Sequence, residues 1–137
     1  MLHEATHVVD GVLGLMPTAA DPHETPFSKS VWTARTTIAT LYASPLLDST
    51  IFRPGGRLLR AGEVQLLYLA LSRTPFVSVY GSSNWHDDVA ELVAWYHLTQ
   101  VLRQPYRIHV GSANSFEPMA SELVRSRFAQ LGIFYVP

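Results

Sequence analysis

Apolar side chains recur at Ala5, Val8, Val9 and Val12, the i, i+3, i+4, i+7 spacing of a helix with one buried stripe. His3, His7 and Asp10 fall on the remaining face, so the pattern predicts a helix that packs with one side and binds with the other. Gly11, Gly14 and Pro17 end it near Leu15, as glycine and proline do beyond a helix C-terminus. Residues 17–30, rich in Pro, Thr, Asp and His, read as a loop. Ser30 can cap a helix from Val31 to Ala43, stopped by Pro45, with Val31, Ala34, Ile38, Leu41 and Tyr42 toward the core. Residues 48–61, containing Arg53-Pro54-Gly55-Gly56, read as a turn-rich connection.

A further helix, Gly62 to Ser72, carries Val64, Leu66, Leu67, Leu69, Ala70 and Leu71, apolar on so many sides that it is expected to be central. Asn84 is a good N-cap, with Asp87 three residues on, for a helix that runs to about Arg103 and stops at Gln104-Pro105. Its Val89, Leu92, Val93, Tyr96 and Leu98 can bury against the first helix. A short strand from Tyr106 to Val110 and a last helix from Pro118 to Leu131, with Ser115 as its cap and Met119, Leu123, Phe128 and Leu131 inward, complete the reading. The expected fold is mainly α, one domain over residues 1–137, with the His3–His7 helix packed on the Asp87–Arg103 helix.

Composition narrows the function classes. The 137 residues, 47% apolar and 15% charged, suffice for one buried core. A net charge of −1 provides no basic field for phosphates, which argues against nucleic acid and anionic membranes as partners. Arg103, Arg107, Arg125 and Arg127 are expected at solvated positions or in ion pairs. No apolar run reaches the length of a membrane span. Cysteine is absent, so a metal would have to be held by nitrogen and oxygen, and the compartment stays open.

The first helix also spells His3-Glu4-Ala5-Thr6-His7, an H-E-x-x-H motif. Imidazoles four residues apart share one helical face and can reach one Zn²⁺, with Glu4 between them placed to take a proton from a metal-bound water. Asp10, one turn beyond His7, is either a support behind the ligands or an ordinary surface aspartate. Only Met1 and Leu2 precede the motif, so the chain is read as the C-terminal part of a longer protein, with an uncapped first turn that should fray.

Asp87 and Glu91 lie four apart and so on one face of the later helix. Facing two histidines, one carboxylate can be the third protein ligand while the other accepts the second N–H of a ligand histidine. The bland alternative is a capping Asp87 and a solvated Glu91. His23, His86, His97 and His109 are expected to be structural, and Trp32, Trp85 and Trp95 to pack.

His3-Glu4-Ala5-Thr6-His7-Val8-Val9-Asp10, followed by Ser78-Val79-Tyr80-Gly81-Ser82-Ser83-Asn84 and Ala90-Glu91, resembles the gluzincin metallopeptidases, and within them the anthrax lethal factor catalytic domain family. That pattern is H-E-x-x-H-x-x-D, then S-x-Y-G-x-x-N leading into a helix with an acidic residue and A-E. The resemblance implies that Tyr80 donates a hydrogen bond to the oxyanion, that the acidic residue seven positions later binds zinc, and that the Glu of A-E orients a ligand histidine. Here that acidic position is Asp87, where the family usually has Glu. Either Asp87 ligates from a helix set slightly closer, which the resemblance favours, or Glu91 reaches the metal itself.

The function expected is zinc-dependent hydrolysis of a peptide bond in a peptide or protein substrate, with Glu4 as general base and Tyr80 at the oxyanion. The chain would be a small helical zincin-like subdomain lacking its upstream sheet. Two other classes compete: a remnant that keeps the metal without cleaving, and a helical interaction domain with a fortuitous motif. Zinc content separates the last from the others, and peptide cleavage separates the first two.

Overall fold

The computed structural model describes residues 1–18, 20, 23–111 and 114–135. Residues 19, 21 and 22 of the expected 17–30 loop lie outside the described residues.

Its axis is the helix that Asn84 was expected to cap, Trp85–Tyr96 (α4 below). The Asn84 side chain accepts the N–H groups of His86 and Asp87, satisfying two donors that a first turn leaves open, while Asp87 and Asp88 put negative charge at the positive end of the helix dipole. Val89, Ala90, Leu92 and Val93 are buried. A π-helical turn, His97–Val101, carries the chain on. It ends at Val101, two residues before Arg103, whose left-handed φ of 57° comes just before Gln104-Pro105.

The first helix, α1 (Leu2–Leu13), packs on α4 and is closed by Gly14, whose φ of 62° lets its N–H reach the Asp10 carbonyl. The packing face is the reverse of the expected one: Thr6 and Asp10 are buried, whereas Val8 and Val12 are 67% and 76% exposed. The reason is that the polar face finds partners inside the fold. One oxygen of Asp10 accepts the Met16 N–H at 2.9 Å, the other lies 2.6 Å from Nδ1 of His86, and His3 meets Glu91. Satisfied polar groups cost little to bury, so the apolar stripe is not needed to seat the helix. Val9 alone of the stripe packs against the core.

The helix expected over 31–43 is absent. β1 (Trp32–Ala34) and β2 (Thr37–Ile38) pair as a short antiparallel ribbon. Ser30 sits at φ 62°, not in the extended backbone of an N-cap, and the Thr-rich run favours the pleated conformation. Trp32 is pinned by its indole N–H, which donates to Asp88 at 2.8 Å. Pro45 does not stop a helix but opens one, α2 (Pro45–Asp48), at the position where a missing N–H is harmless.

The expected helix of residues 62–72 forms as α3 (Ala61–Leu71), with the Glu63 carboxylate accepting the Arg60 backbone N–H. It lies at the periphery rather than the centre, burying Leu67 and Leu71 and exposing Leu66 and Leu69. The strand expected at 106–110 is β3 (Ile108–Val110), paired with β4 (Asn114–Phe116). Ser115 is therefore opposite His109 in a ribbon and caps nothing. The expected 118–131 helix breaks into a 3₁₀ turn (Pro118–Ala120), α5 (Glu122–Arg125) and a 3₁₀ segment (Phe128–Ile133). Ser121, in extended backbone, ends one turn and starts the next.

This break brings Arg127 inward. Its guanidinium holds both Asp88 oxygens, at 2.7 and 2.9 Å, and also donates to the carbonyls of Pro75 and Phe27. Both charges are buried, so Arg127 is an ion-pair member but not a solvated one. The core cluster includes the fully buried Phe76, Val77, Leu92, Val124 and Leu131. The fold is mainly α with two short ribbons, and among the described residues no helix is long and apolar enough to cross a membrane.

Candidate metal centre

Helix α1 carries His3 and His7 on the face turned toward α4, and their Nε2 atoms lie 3.1 Å apart. The Oδ1 atom of Asp87, in the first turn of α4, completes a triangle at 3.4 Å from His7 Nε2 and 3.7 Å from His3 Nε2. Ligand bonds of roughly 2.0–2.1 Å in tetrahedral geometry separate neighbouring donors by about 3.4 Å, so these three atoms fit three corners of a zinc site. All three side chains are part-buried, and no other donor from the described residues joins the group.

Neighbouring groups aim two of the three donors. On the far side of the His3 ring, Nδ1 is 3.0 Å from Glu91 Oε1. A carboxylate can only accept, so Nδ1 is the donor of this pair, and in a neutral ring that tautomer leaves the Nε2 lone pair toward Asp87 and His7. The second oxygen of Glu91 accepts the Ser78 hydroxyl at 2.6 Å and the Trp95 indole N–H at 3.1 Å. Both Glu91 oxygens are thus engaged away from the triangle. Asp87 is held likewise: its Oδ2 accepts from the Ser83 hydroxyl and the Asn84 amide, leaving Oδ1 for the histidines. Of the alternatives open in the sequence, the geometry puts Asp87 beside both Nε2 atoms and Glu91 behind His3.

Tyr80 stands beside the triangle, its ring 5.8 Å from that of His3 and 5.4 Å from that of Phe52. Burial, then the charge of and a hydrogen bond to Asp87, then the charges of Glu91 and Glu4, push its hydroxyl above its ordinary value, so it remains an O–H donor at neutral pH. The turn that carries Tyr80 is anchored from below. Arg53, pulled down from its ordinary value by burial and partly offset by Asp48, donates to the carbonyls of Thr36 and Ser82. Gly56 makes that loop possible, since a Cβ there would overlap the Thr50 carbonyl. Residues of the loop, with Val79, Leu67 and Tyr68, line a depression of about 160 Å³ next to Phe52. Glu4 is exposed, between the two histidines in sequence.

All the residues expected at the site, His3, Glu4, His7, Tyr80, Asp87 and Glu91, lie on the abutting α1, α4 and Tyr80 turn. Asp10 is buried and touches no member of the triangle. It clamps α1 to α4 through His86, one residue before Asp87. Among the other histidines, His97 stacks at 6.0 Å on Tyr135 and His109 lies exposed in β3. Sequence reasoning missed the hydrogen bonds that Ser78 and Trp95 make to Glu91, whereas His86 is structural, as expected. Trp95 had a readable signal, standing four residues after Glu91 on one helical face. Ser78 had none outside the family-like block.

No family model matches the chain, and no curated protein or solved structure matches it.

Proposed function

We propose that this domain is a zinc-dependent peptide hydrolase whose metal is held by His3, His7 and Asp87. The observation that carries the reading is the convergence of three atoms able to bind a metal, two imidazole nitrogens and a carboxylate oxygen, within 3.1 to 3.7 Å of one another. Three lone pairs that close repel unless protons or a cation lie between them, and the neighbours of His3 and Asp87 hold those two donors in the arrangement. When bound, Zn²⁺ supplies acidification of a water and polarisation of a carbonyl. Glu4 accepts the proton from the attacking water and returns it to the leaving amine. Tyr80 donates its O–H to the oxygen on which negative charge develops. Exposed Phe52 and Tyr80 form an apolar shelf beside the ligands, suited to a peptide side chain. In this reading Glu91 fixes the His3 tautomer, and the fold is a zincin-like helical subdomain.

Elemental analysis and cleavage of a mixed fluorogenic peptide library test this. About one zinc per chain is expected, with cleavage that Glu4→Gln abolishes while the zinc is retained. A zinc-free protein, or cleavage unchanged in Glu4→Gln, overturns the proposal. A second reading, a metal-binding remnant without turnover, is favoured by one observation: the face of α1 opposite the two histidines leaves Val8 and Val12 in solvent. Stoichiometric zinc with no cleavage of any library member selects it.

A further inference from the structure

We propose that Ser78 and Trp95 are positioning residues which, by saturating one oxygen of Glu91, fix His3 as the Nδ1–H tautomer and tie the Tyr80 turn to the same carboxylate. The inference rests on the metal-centre reading above but concerns groups that touch neither metal nor substrate.

A neutral imidazole can carry its hydrogen on either nitrogen, and what the ring donates to decides which. Glu91 alone would be a poor guide, because its terminal carboxylate torsion is soft. Two donors from different elements remove that freedom. The Ser78 hydroxyl reaches Oε2 at 2.6 Å from the turn before α4, and the Trp95 indole reaches the same atom at 3.1 Å from one turn further along α4. Oε1 is then left for His3 Nδ1 at 3.0 Å.

Both donors are themselves held. Trp95 is stacked on Tyr106 with ring centres 3.6 Å apart and planes within 10°. Ser78 Oγ accepts the Gly81 N–H at 2.9 Å, which turns its own hydrogen toward Glu91. A Cβ on Gly81 would meet Glu91 Cβ and Ser78 Oγ, both at 3.3 Å, so a side chain there would push against the two groups that make this bond. Because Tyr80 lies between Ser78 and Gly81, the bonds that orient His3 also set where the Tyr80 hydroxyl stands. One carboxylate thus registers the Tyr80 turn against His3.

The test uses the full chain, labelled with ¹⁵N, as wild type, Ser78→Ala, Ser78→Thr and Trp95→Phe. Long-range proton–nitrogen spectra of the zinc-free protein, at a pH where the ring is neutral, read the His3 tautomer. Zinc Kd is measured by competition with a chromophoric chelator, and thermal unfolding of the zinc-free protein reads the fold. In the wild type His3 is expected as Nδ1–H. Ser78→Ala and Trp95→Phe should move it toward Nε2–H and raise the zinc Kd about 10-to-100-fold, the range typical of groups behind the ligands. The zinc-free unfolding midpoint should hardly change, and Ser78→Thr should restore both tautomer and Kd. The proposal is overturned if the tautomer is unchanged in both deletions, or if Kd rises only in step with loss of folding. Should Trp95→Phe fail to fold, Ser78→Ala and its threonine rescue decide alone. If the wild type binds no zinc, the metal reading fails, while the tautomer spectra still judge the positioning.

Discussion

Two neighbouring carboxylates on α4, Asp87 and Asp88, have opposite fates. Asp88 is fully buried and both its oxygens are taken, by the two guanidinium nitrogens of Arg127 and the indole of Trp32. Burial pushes its carboxyl above the ordinary value, and the Arg127 charge with the hydrogen bonds from Arg127 and Trp32 pulls it back. Asp87 lies a helical step of about 100° away, on the side facing α1. One of its oxygens is occupied by Ser83 and Asn84, and the other looks at two imidazole nitrogens. A saturated charge holds a fold together. A half-saturated one facing two imidazole nitrogens is suited to take a ligand.

The largest effect should come from breaking the saturated member. In Asp88→Ala, Arg127 stays buried as an unpaired cation and the Trp32 N–H loses its acceptor, a loss of about 3–5 kcal/mol against a total stability of roughly 5–15 kcal/mol. Urea denaturation of the zinc-free protein measures it. A loss below about 1 kcal/mol would mean that water reaches Arg127 and the pair does not organise the core. The next effect belongs to Asp87. Asp87→Asn keeps the shape and the cap, so zinc-free stability should change by less than about 1 kcal/mol, while zinc affinity falls by more than the roughly 10-to-100-fold that groups behind the ligands cost. Affinity unchanged in Asp87→Asn would remove Asp87 from the ligand set.

The same comparison explains what could be read from the residues alone. Asn84, the acidic first turn of α4 and the stop at Gln104-Pro105 are local signals, and each corresponds to a cap or an end in the fold. The H-E-x-x-H spacing likewise places His3 and His7 on one helical face whatever surrounds them. What misled was the assumption that apolar residues choose the buried face. On α1 the choice fell to Asp10, His86, Glu91 and Met16, whose pairing depends on residues up to 88 positions apart. Ser30 to Ala43 failed for a similar reason: its helical spacing of apolar residues was real, but Thr33, Thr36 and Thr37 and the long-range Trp32–Asp88 bond favour a ribbon. Arg127, expected at a solvated position or in an ion pair, is in an ion pair, and burial with Asp88 makes it a core residue.

Glu91 sharpens the contrast from the other side, since its oxygens are as fully engaged as those of Asp88 but by an imidazole, a hydroxyl and an indole. Glu91→Gln can still accept from one side yet must present an amide donor on the other. It should weaken zinc binding about 10-to-100-fold and leave the fold standing. A loss larger than that of Asp87→Asn would exchange their roles and make Glu91 the ligand.

The smallest effect is expected where saturation occurs without burial. Glu63, at the solvent-facing start of α3, accepts from both terminal nitrogens of Arg57, at 2.6 and 2.8 Å, and from the Arg60 N–H. The Arg57 hydrogen bond first, then the Arg60 backbone, hold its carboxyl at about 2. Because the folded value is depressed, the pair's contribution is fully present above the ordinary value of 4.5 and is lost as pH falls toward 2. Water and salt screen such a pair, so a carbon-detected titration should find the low midpoint while stability between pH 5 and 3 responds little to Glu63→Gln. Arg57→Met should return the midpoint toward 4.5. If Glu63→Gln instead destabilised the domain as much as Asp88→Ala, hydrogen-bond saturation alone, and not saturation inside a dry core, would be what distinguishes Asp88 from its neighbour.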